Sequence, residues 1–424
     1  MESWRQVFDA IYHGGDRSGR SDDFSGWLSS ADRHAISVED MGEWRDMTAH
    51  SIRELRPRRI LEIGAGVGLV MAAVAPTCDS YWATDVSATA IDLLKTRADN
   101  GGYGHKVSTR VRPAHVIDGL PSGYFDTIVL NSVIQYFPSA EYLTKVLMSL
   151  SELAADGARI FVGDIRNRRL LGHMWSGIAA TAVQPGSSIP DLRDDVTAKV
   201  AVEAELCLDP EYFDCLRGVI LDVSEVNVEL KRGRLRNEMT AYRYDVTLTK
   251  GLRPQRRPPQ IRALSWGTDV QSLDDVRAHL HRNAPEPVHV LGVPNSRLAF
   301  DQHARTGLLE SQNAEAFHNW MAALDETSVD PNDFRQMAAE IGCRVWTRWT
   351  PYSDNGTFDT AFNYDDGGAC WPAPSMACAE PIGSHANTPF DAVRAASWEK
   401  ELKAHLKKTF QGLPMSVDIE IVHM

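Results

Sequence analysis

Ile60-Leu61-Glu62-Ile63-Gly64-Ala65-Gly66-Val67-Gly68-Leu69 reads as a buried strand that ends in a glycine-rich turn and opens a helix. The apolar run suits a parallel strand covered on both faces. The glycines suit a turn where a Cβ would block a ligand's approach to the backbone. Two cofactor classes use such a turn, and spacing and charge separate them. A dinucleotide turn has the spacing GxGxxG and rests a pyrophosphate on the helix N-terminus. This turn is GxGxG, and Glu62 stands two residues before its first glycine. A carboxylate there repels a pyrophosphate and attracts a cation. S-adenosylmethionine carries a sulfonium and an ammonium and no phosphate, so it is the better fit. A plain tight turn is the bland alternative.

Outward from this point, strand-like and helix-like segments alternate, the pattern of a βαβ architecture with a parallel sheet. Strands are expected over 60–63, 80–84, 107–111, 125–130 and 158–162, with helices over 88–97 and 141–153. Residues 170–216 read as a mostly helical insertion, and strands at 223–230 and 242–248 as a closing antiparallel pair. Upstream, the aromatic-rich residues 1–45 read as a helical lid, with Ser37 capping the helix that Pro57 closes. Downstream, LRPQRRPPQ (252–260), with three prolines and three arginines, marks a linker over 251–262. A smaller α/β unit over 263–385 and a basic helical tail over 386–424 complete the reading.

In open α/β sheets, ligands bind beyond the carboxyl ends of the strands. Asp85, followed by Val86, ends the second strand 21 residues after Gly64, placed to accept ribose hydroxyls. Pro113-Ala114-His115 follows the third strand, where Ala114 and His115 would flank adenine. Asn131-Ser132-Val133-Ile134-Gln135-Tyr136-Phe137 follows the fourth, at the reactive end. There Asn131, Ser132 and Gln135 supply hydrogen bonds, and Tyr136 a ring face for a sulfonium and a hydroxyl for an acceptor. Core packing is the bland reading of Tyr136 and Phe137.

Composition narrows the class. The chain has 424 residues, 43% hydrophobic and 24% charged, an ordinary globular balance. A net charge of −13 argues against a nucleic-acid surface. No membrane span or signal peptide is legible, so a cytoplasmic location is expected. The six cysteines and 14 histidines show no metal or redox spacing, so reduced thiols and no metal are expected.

Together these segments resemble the S-adenosylmethionine-dependent methyltransferase domains of nonribosomal peptide synthetases, the type embedded in interrupted adenylation domains. The resemblance rests on an ordered series: FSGWLSS (24–30), MGEW (41–44), LEIGAGVGL (61–69), PAH (113–115), NSVIQYFP (131–138) and VGDIR (162–166). Glu203-Ala204-Glu205-Leu206, DPEYF (209–213), KRGRLRNEMTAYRYDV (231–246) and VPNSRL (293–298) continue it. From Ala386-Asn387-Thr388-Pro389 onward the tail is similar to the C-terminal lobe of an adenylation domain.

The resemblance implies a class I methyltransferase Rossmann-like sheet over 46–250, N-methylation of an aminoacyl or peptidyl substrate, and a peptidyl carrier protein as partner for a tethered acceptor. It also turns Asn237 and Glu238 toward that acceptor. Glu238 is then the group that holds or deprotonates the amine, with Asn237 and Tyr136 orienting it. Tyr12 and Trp27 either fold over the cofactor or pack the N-terminal helices. Asp164, Arg166 and Arg243 are candidate substrate contacts; for Arg243 and Asp245 a sheet-edge ion pair is the blander reading. Glu203 and Glu205 are expected to be solvated more often than functional. O- or C-methylation of a small molecule, and a non-catalytic cofactor-binding partner of a synthetase, remain the alternatives.

Overall fold

The computed structural model describes residues 9, 12, 22–24, 26–220, 222–251, 261–324, 327–364, 371 and 381–389. Trp4, Phe8, the 252–260 linker, Cys370, Cys378 and the expected tail helix beyond Pro389 lie outside them.

A seven-stranded sheet in the order β3-β2-β1-β4-β5-β7-β6 carries the site. Its strands are β1 (Arg59–Ile63), β2 (Ser80–Asp85), β3 (Val107–Val111), β4 (Phe125–Asn131), β5 (Ala154–Arg166), β6 (Val223–Leu230) and β7 (Arg243–Lys250). The first five run parallel, while β7 is antiparallel to both β5 and β6. Thus β7 lies inside the sheet, and Arg243 and Asp245 are not edge residues. The strand order reverses between β1 and β4, so the loops after these strands part there and open a crevice.

Helices α1 (Val38–Glu54), α2 (Leu69–Val74), α3 (Ala88–Asn100) and α4 (Ala140–Leu153) cover the sheet. Met41, Trp44, Thr48, Ala49 and Ile52 form the buried stripe of α1, at helical spacing. Ser37 caps that helix as expected, accepting the Asp40 N–H at 3.0 Å. The insertion holds α5 (Leu171–Thr181), α6 (Ile189–Ala201) and the short α7 (Glu211–Cys215). Residues 202–210 are irregular instead of helical, pinned where Leu208 bridges Asn167 and Ala386. A single turn, α8 (Glu238–Ala241), precedes β7.

A second sheet has the order β10-β11-β9-β8, formed by β8 (Arg262–Ser265), β9 (Val288–Val293), β10 (Arg344–Trp349) and β11 (Phe358–Asn363). Strand β8 begins at Arg262, so the expected linker over 251–262 ends one residue earlier. Around the sheet stand α9 (Leu273–Asn283), α10 (Ala299–Glu310), α11 (Ala314–Met321) and α12 (Pro331–Ile341). Strand β8 and helices α9 and α10 are short or largely polar, so sequence periodicity barely marks them.

The two sheets share one apolar core, which runs from Leu61 and Ile128 through Tyr244 to Phe334 and Phe358. Arg297 ties them with bonds to the carbonyls of Lys231 at 2.7 Å and Gly233 at 2.8 Å. Cys78, Cys207 and Cys343 are free thiols, but Cys215 is disulfide-bonded, which corrects the expectation of six reduced cysteines. No helix among the described residues is long and apolar enough to cross a membrane.

Candidate functional site

At the carboxyl edge of β1, β2 and β4 lies a cavity of about 160 Å³. Its walls include Glu62, Gly64, Ala65, Gly66, Asp85, Val86, Ala114, Asn131, Ser132 and Tyr136, all singled out from sequence. Tyr12 and Trp27 line it as well. Trp27 leans on Trp44 with ring centroids 4.7 Å apart. Asp22 fixes this segment from below, pairing with Arg97 at 2.7 Å and with Arg45.

The turn glycines divide the work. A Cβ on Gly66 would face into the cavity, 3.2 Å from the Tyr12 hydroxyl. On Gly64 it would meet Val133 at 2.3 Å, and on Gly68 it would press Met71 and Leu94 from 2.9–3.0 Å. Gly64 and Gly68 therefore let the turn pack closely on its neighbours, while at Gly66 the nearest group is the cavity-lining Tyr12 hydroxyl. Asp85 holds the turn, accepting the N–H of Gly66 and of Ser87, both at 2.9 Å. Burial still pushes its carboxyl above the usual range, against those two bonds.

Glu62 is buried beneath the turn and accepts the Tyr81 hydroxyl at 2.7 Å. Burial pushes its carboxyl up to about 8, with the Tyr81 bond opposing and Asp85 adding to the rise. A nearby cation reverses that shift. The buried Asn131 Oδ1 has no hydrogen-bond partner among the described residues. Sequence reasoning missed Trp44, Asp23 and Arg112 as wall residues. Trp44 is hidden in the apolar stripe of α1, and Arg112 shows no motif; its guanidinium is braced on the Asp118 carbonyl at 2.7 Å.

Other candidates do not line the wall. Gln135 is buried and donates to the Ser132 carbonyl at 3.0 Å. His115 stands outside the cavity, 2.9 Å from the Tyr142 hydroxyl. Asn237 caps α8, accepting the N–H groups of Met239 and Thr240 and donating to Asp40 at 2.7 Å. Glu238 accepts from the N–H and hydroxyl of Ser30. Neither Asn237 nor Glu238 is a wall residue in this structure.

Asp164 is fully buried, bonded to Ser132 Oγ and to Arg243 at 2.7 Å. Burial pushes this carboxyl up, yet Arg243 and Lys231 outweigh it and hold it below its ordinary value. Lys231, another missed residue, bonds Asp245 at 3.0 Å and stands 3.9 Å from Asp164. Ser132 and Asp164 both have positive φ, 51° and 66°, so this link joins two strained backbones at the end of β4 and β5. Arg166 is gripped by Glu203 at 2.9 and 3.0 Å and by Glu205 at 2.8 Å. The two glutamates are thus partnered rather than solvated.

The reversal of strand order, the glycine turn and the acidic crevice define a class I S-adenosylmethionine-dependent methyltransferase. The wall fits that cofactor: Gly66 leaves room, and Glu62, Asp85 and Asp23 favour a cation. Residues 61–160 match the methyltransferase-domain family. The chain is 38% identical over 361 residues to the probable nonribosomal peptide synthetase CymA of Salinispora arenicola (strain CNS-205), covering 84% of this chain and 4% of that protein. It is 31% identical over 432 residues to chondramide synthase cmdD of Chondromyces crocatus, covering 96% and 11% respectively. Among solved structures, magnesium protoporphyrin IX methyltransferase from Synechocystis PCC 6803 is similar at 13% identity and a TM-score of 0.36, over 59% of this chain and 96% of that one. The chain is an S-adenosylmethionine-dependent methyltransferase related to the methyltransferase domains of nonribosomal peptide synthetases.

Proposed function

We propose that the chain methylates the amino nitrogen of an aminoacyl or peptidyl substrate, free or carrier-bound. The observation that supports this reading is the make-up of the cavity wall: Asn131, Ser132 and Tyr136 line it, and among the described residues no histidine does. The cofactor held there supplies an electrophilic methyl carbon. Burial, reinforced by Glu205, pushes the Tyr136 phenol up to about 12, so it serves as a hydrogen-bond donor and not as a base.

Such a wall orients an acceptor without tearing off a firmly held proton. An α-amino group, with a pKa near about 8, suits it because a neutral fraction already exists near pH 7. A carbon acceptor needs a positioned base, and His115 and His173 do not reach the wall. Positioning then supplies much of the rate. The relatives are named as peptide synthetases, which favours an amino-acid-derived acceptor over an unrelated small molecule.

The test is mass spectrometry of amino acids, free and carrier-loaded, incubated with the chain and isotopically labelled cofactor. Label on the α-nitrogen is the expected result. Label on oxygen or carbon, or none with any amine, overturns it.

A further inference from the structure

Asn387 lies 180 residues beyond Cys207 in sequence, yet its side chain and backbone lock onto the irregular loop 203–208. Its Oδ1 accepts the Cys207 N–H at 2.8 Å. Its Nδ2 donates to the Glu205 carbonyl at 2.8 Å and the Glu203 carbonyl at 3.3 Å. Its own N–H reaches the Cys207 carbonyl at 3.3 Å. The neighbours add to the clamp: Ala386 bridges Leu208, and the Asp209 N–H donates to the His385 carbonyl at 2.8 Å.

The clamped loop is tied directly to the methyltransferase crevice. The Leu206 N–H donates to the Gln135 carbonyl at 2.8 Å, next to the wall residue Tyr136. Glu203 and Glu205 grip Arg166 at the end of β5, and the Leu208 N–H donates to the Arg166 carbonyl at 2.9 Å. The charge of Glu205 also acts on Tyr136 and Arg243. This loop has no helix or strand of its own and carries two carboxylates two residues apart. It needs an outside partner to hold its shape, and Asn387 satisfies three of its backbone groups with one side chain.

We infer that Asn387 is a positioning residue for methyl transfer, holding loop 203–208 so that Glu203, Glu205 and Arg166 shape the acceptor side of the crevice beside Tyr136. The segment that resembles adenylation-domain sequence is therefore part of the methyltransferase site, not an appendage to it. The inference rests on the reading that the acceptor enters beside Tyr136. It predicts that Asn387→Ala frees the loop while leaving the glycine turn, which Asn387 does not touch, in place.

The experiment compares the full chain with its Asn387→Ala and Asn387→Asp variants. Hydrogen–deuterium exchange should speed up at least tenfold in residues 203–208, with β1 and β2 unchanged. Cofactor affinity, by calorimetry, should stay within twofold. With aminoacyl-N-acetylcysteamine thioesters as acceptors, KM should rise about tenfold and kcat change less. Asn387→Asp keeps one acceptor oxygen, loses both donors and adds a third negative charge, so its effect should be at least as large as that of alanine.

Glu205→Gln supplies a second handle that leaves Asn387 intact. If Asn387 acts through the loop, the kinetic effects of the two substitutions are less than additive. Unchanged exchange in 203–208, additive effects, or an equal loss of cofactor binding overturns the inference. If the wild-type chain methylates none of the thioesters, the N-methylation reading fails, and the exchange and affinity arms still decide whether Asn387 holds loop 203–208.

Discussion

The Glu238 carboxylate accepts both the backbone N–H of Ser30, at 2.7 Å, and its hydroxyl, at 3.2 Å, joining residues 208 positions apart. Ser30 belongs to the N-terminal segment that brings Gly26 and Trp27 into the cavity wall. The carboxylate thus latches that segment down, with Arg243 standing 3.8 Å behind it. Hydrogen bonds to a charged group contribute about 1.5–3 kcal/mol. Glu238→Ala should weaken cofactor binding roughly tenfold by calorimetry, with Glu238→Gln intermediate. If Glu238 instead takes the acceptor's proton, Glu238→Gln will remove turnover at unchanged cofactor affinity.

Glu62 gives the site a pH signature. Its carboxyl stands at about 8 in the ligand-free fold, against 4.5 for the unperturbed group. Between those values the unfolded chain releases a proton that the fold retains, so rising pH erodes stability, by about 5 kcal/mol at most. Below about 4.5 both states hold the proton and the penalty vanishes. A bound cation restores the carboxylate and cancels the loss. The thermal shift produced by the cofactor should therefore grow from pH 6 to pH 8.5. Binding near pH 7 should release a proton, read from calorimetry in two buffers of different ionisation enthalpy. Glu62→Gln should flatten the pH dependence, and Glu62→Lys should abolish binding.

A Cβ on Gly66 would come within 3.2 Å of the Tyr12 hydroxyl, a group of the cavity wall. At a φ of 53° an alanine also adds backbone strain, about 1–2 kcal/mol. Gly66→Ala should cut cofactor affinity by more than tenfold while the circular dichroism spectrum of the folded chain is retained. Full binding by this variant would remove the turn from the site.

Lys231 is the buried counter-ion of two carboxylates, Asp164 and Asp245. Breaking such a group by removing one partner strands a charge and costs roughly 3–5 kcal/mol. Lys231→Met should lower stability by that amount in denaturant unfolding. Adding Asp245→Asn should recover part of it, since the stranded charge is then gone. An additive double variant would show that the two do not act as a pair.

Much of this molecule is legible in one dimension. Residues 60–69 by themselves specify a buried strand, a glycine turn and a helix start, because periodicity and glycine placement are local properties. The charge of Glu62 selects a cationic cofactor from the same stretch. Asp85, Asn131 and Ser132 follow, since the carboxyl ends of parallel strands must meet at one edge. Tertiary structure decided the rest, because partners far apart in sequence leave no periodic trace. The pairing of Glu238 with Ser30, of Lys231 with Asp245 and Asp164, and of Asn387 with loop 203–208 exists only once the chain has folded. So does the assignment of Asn237 to a helix cap and of Glu203 and Glu205 to Arg166. A carboxylate written in a sequence carries its charge with it, but which cation, amide or ligand it faces is set by packing.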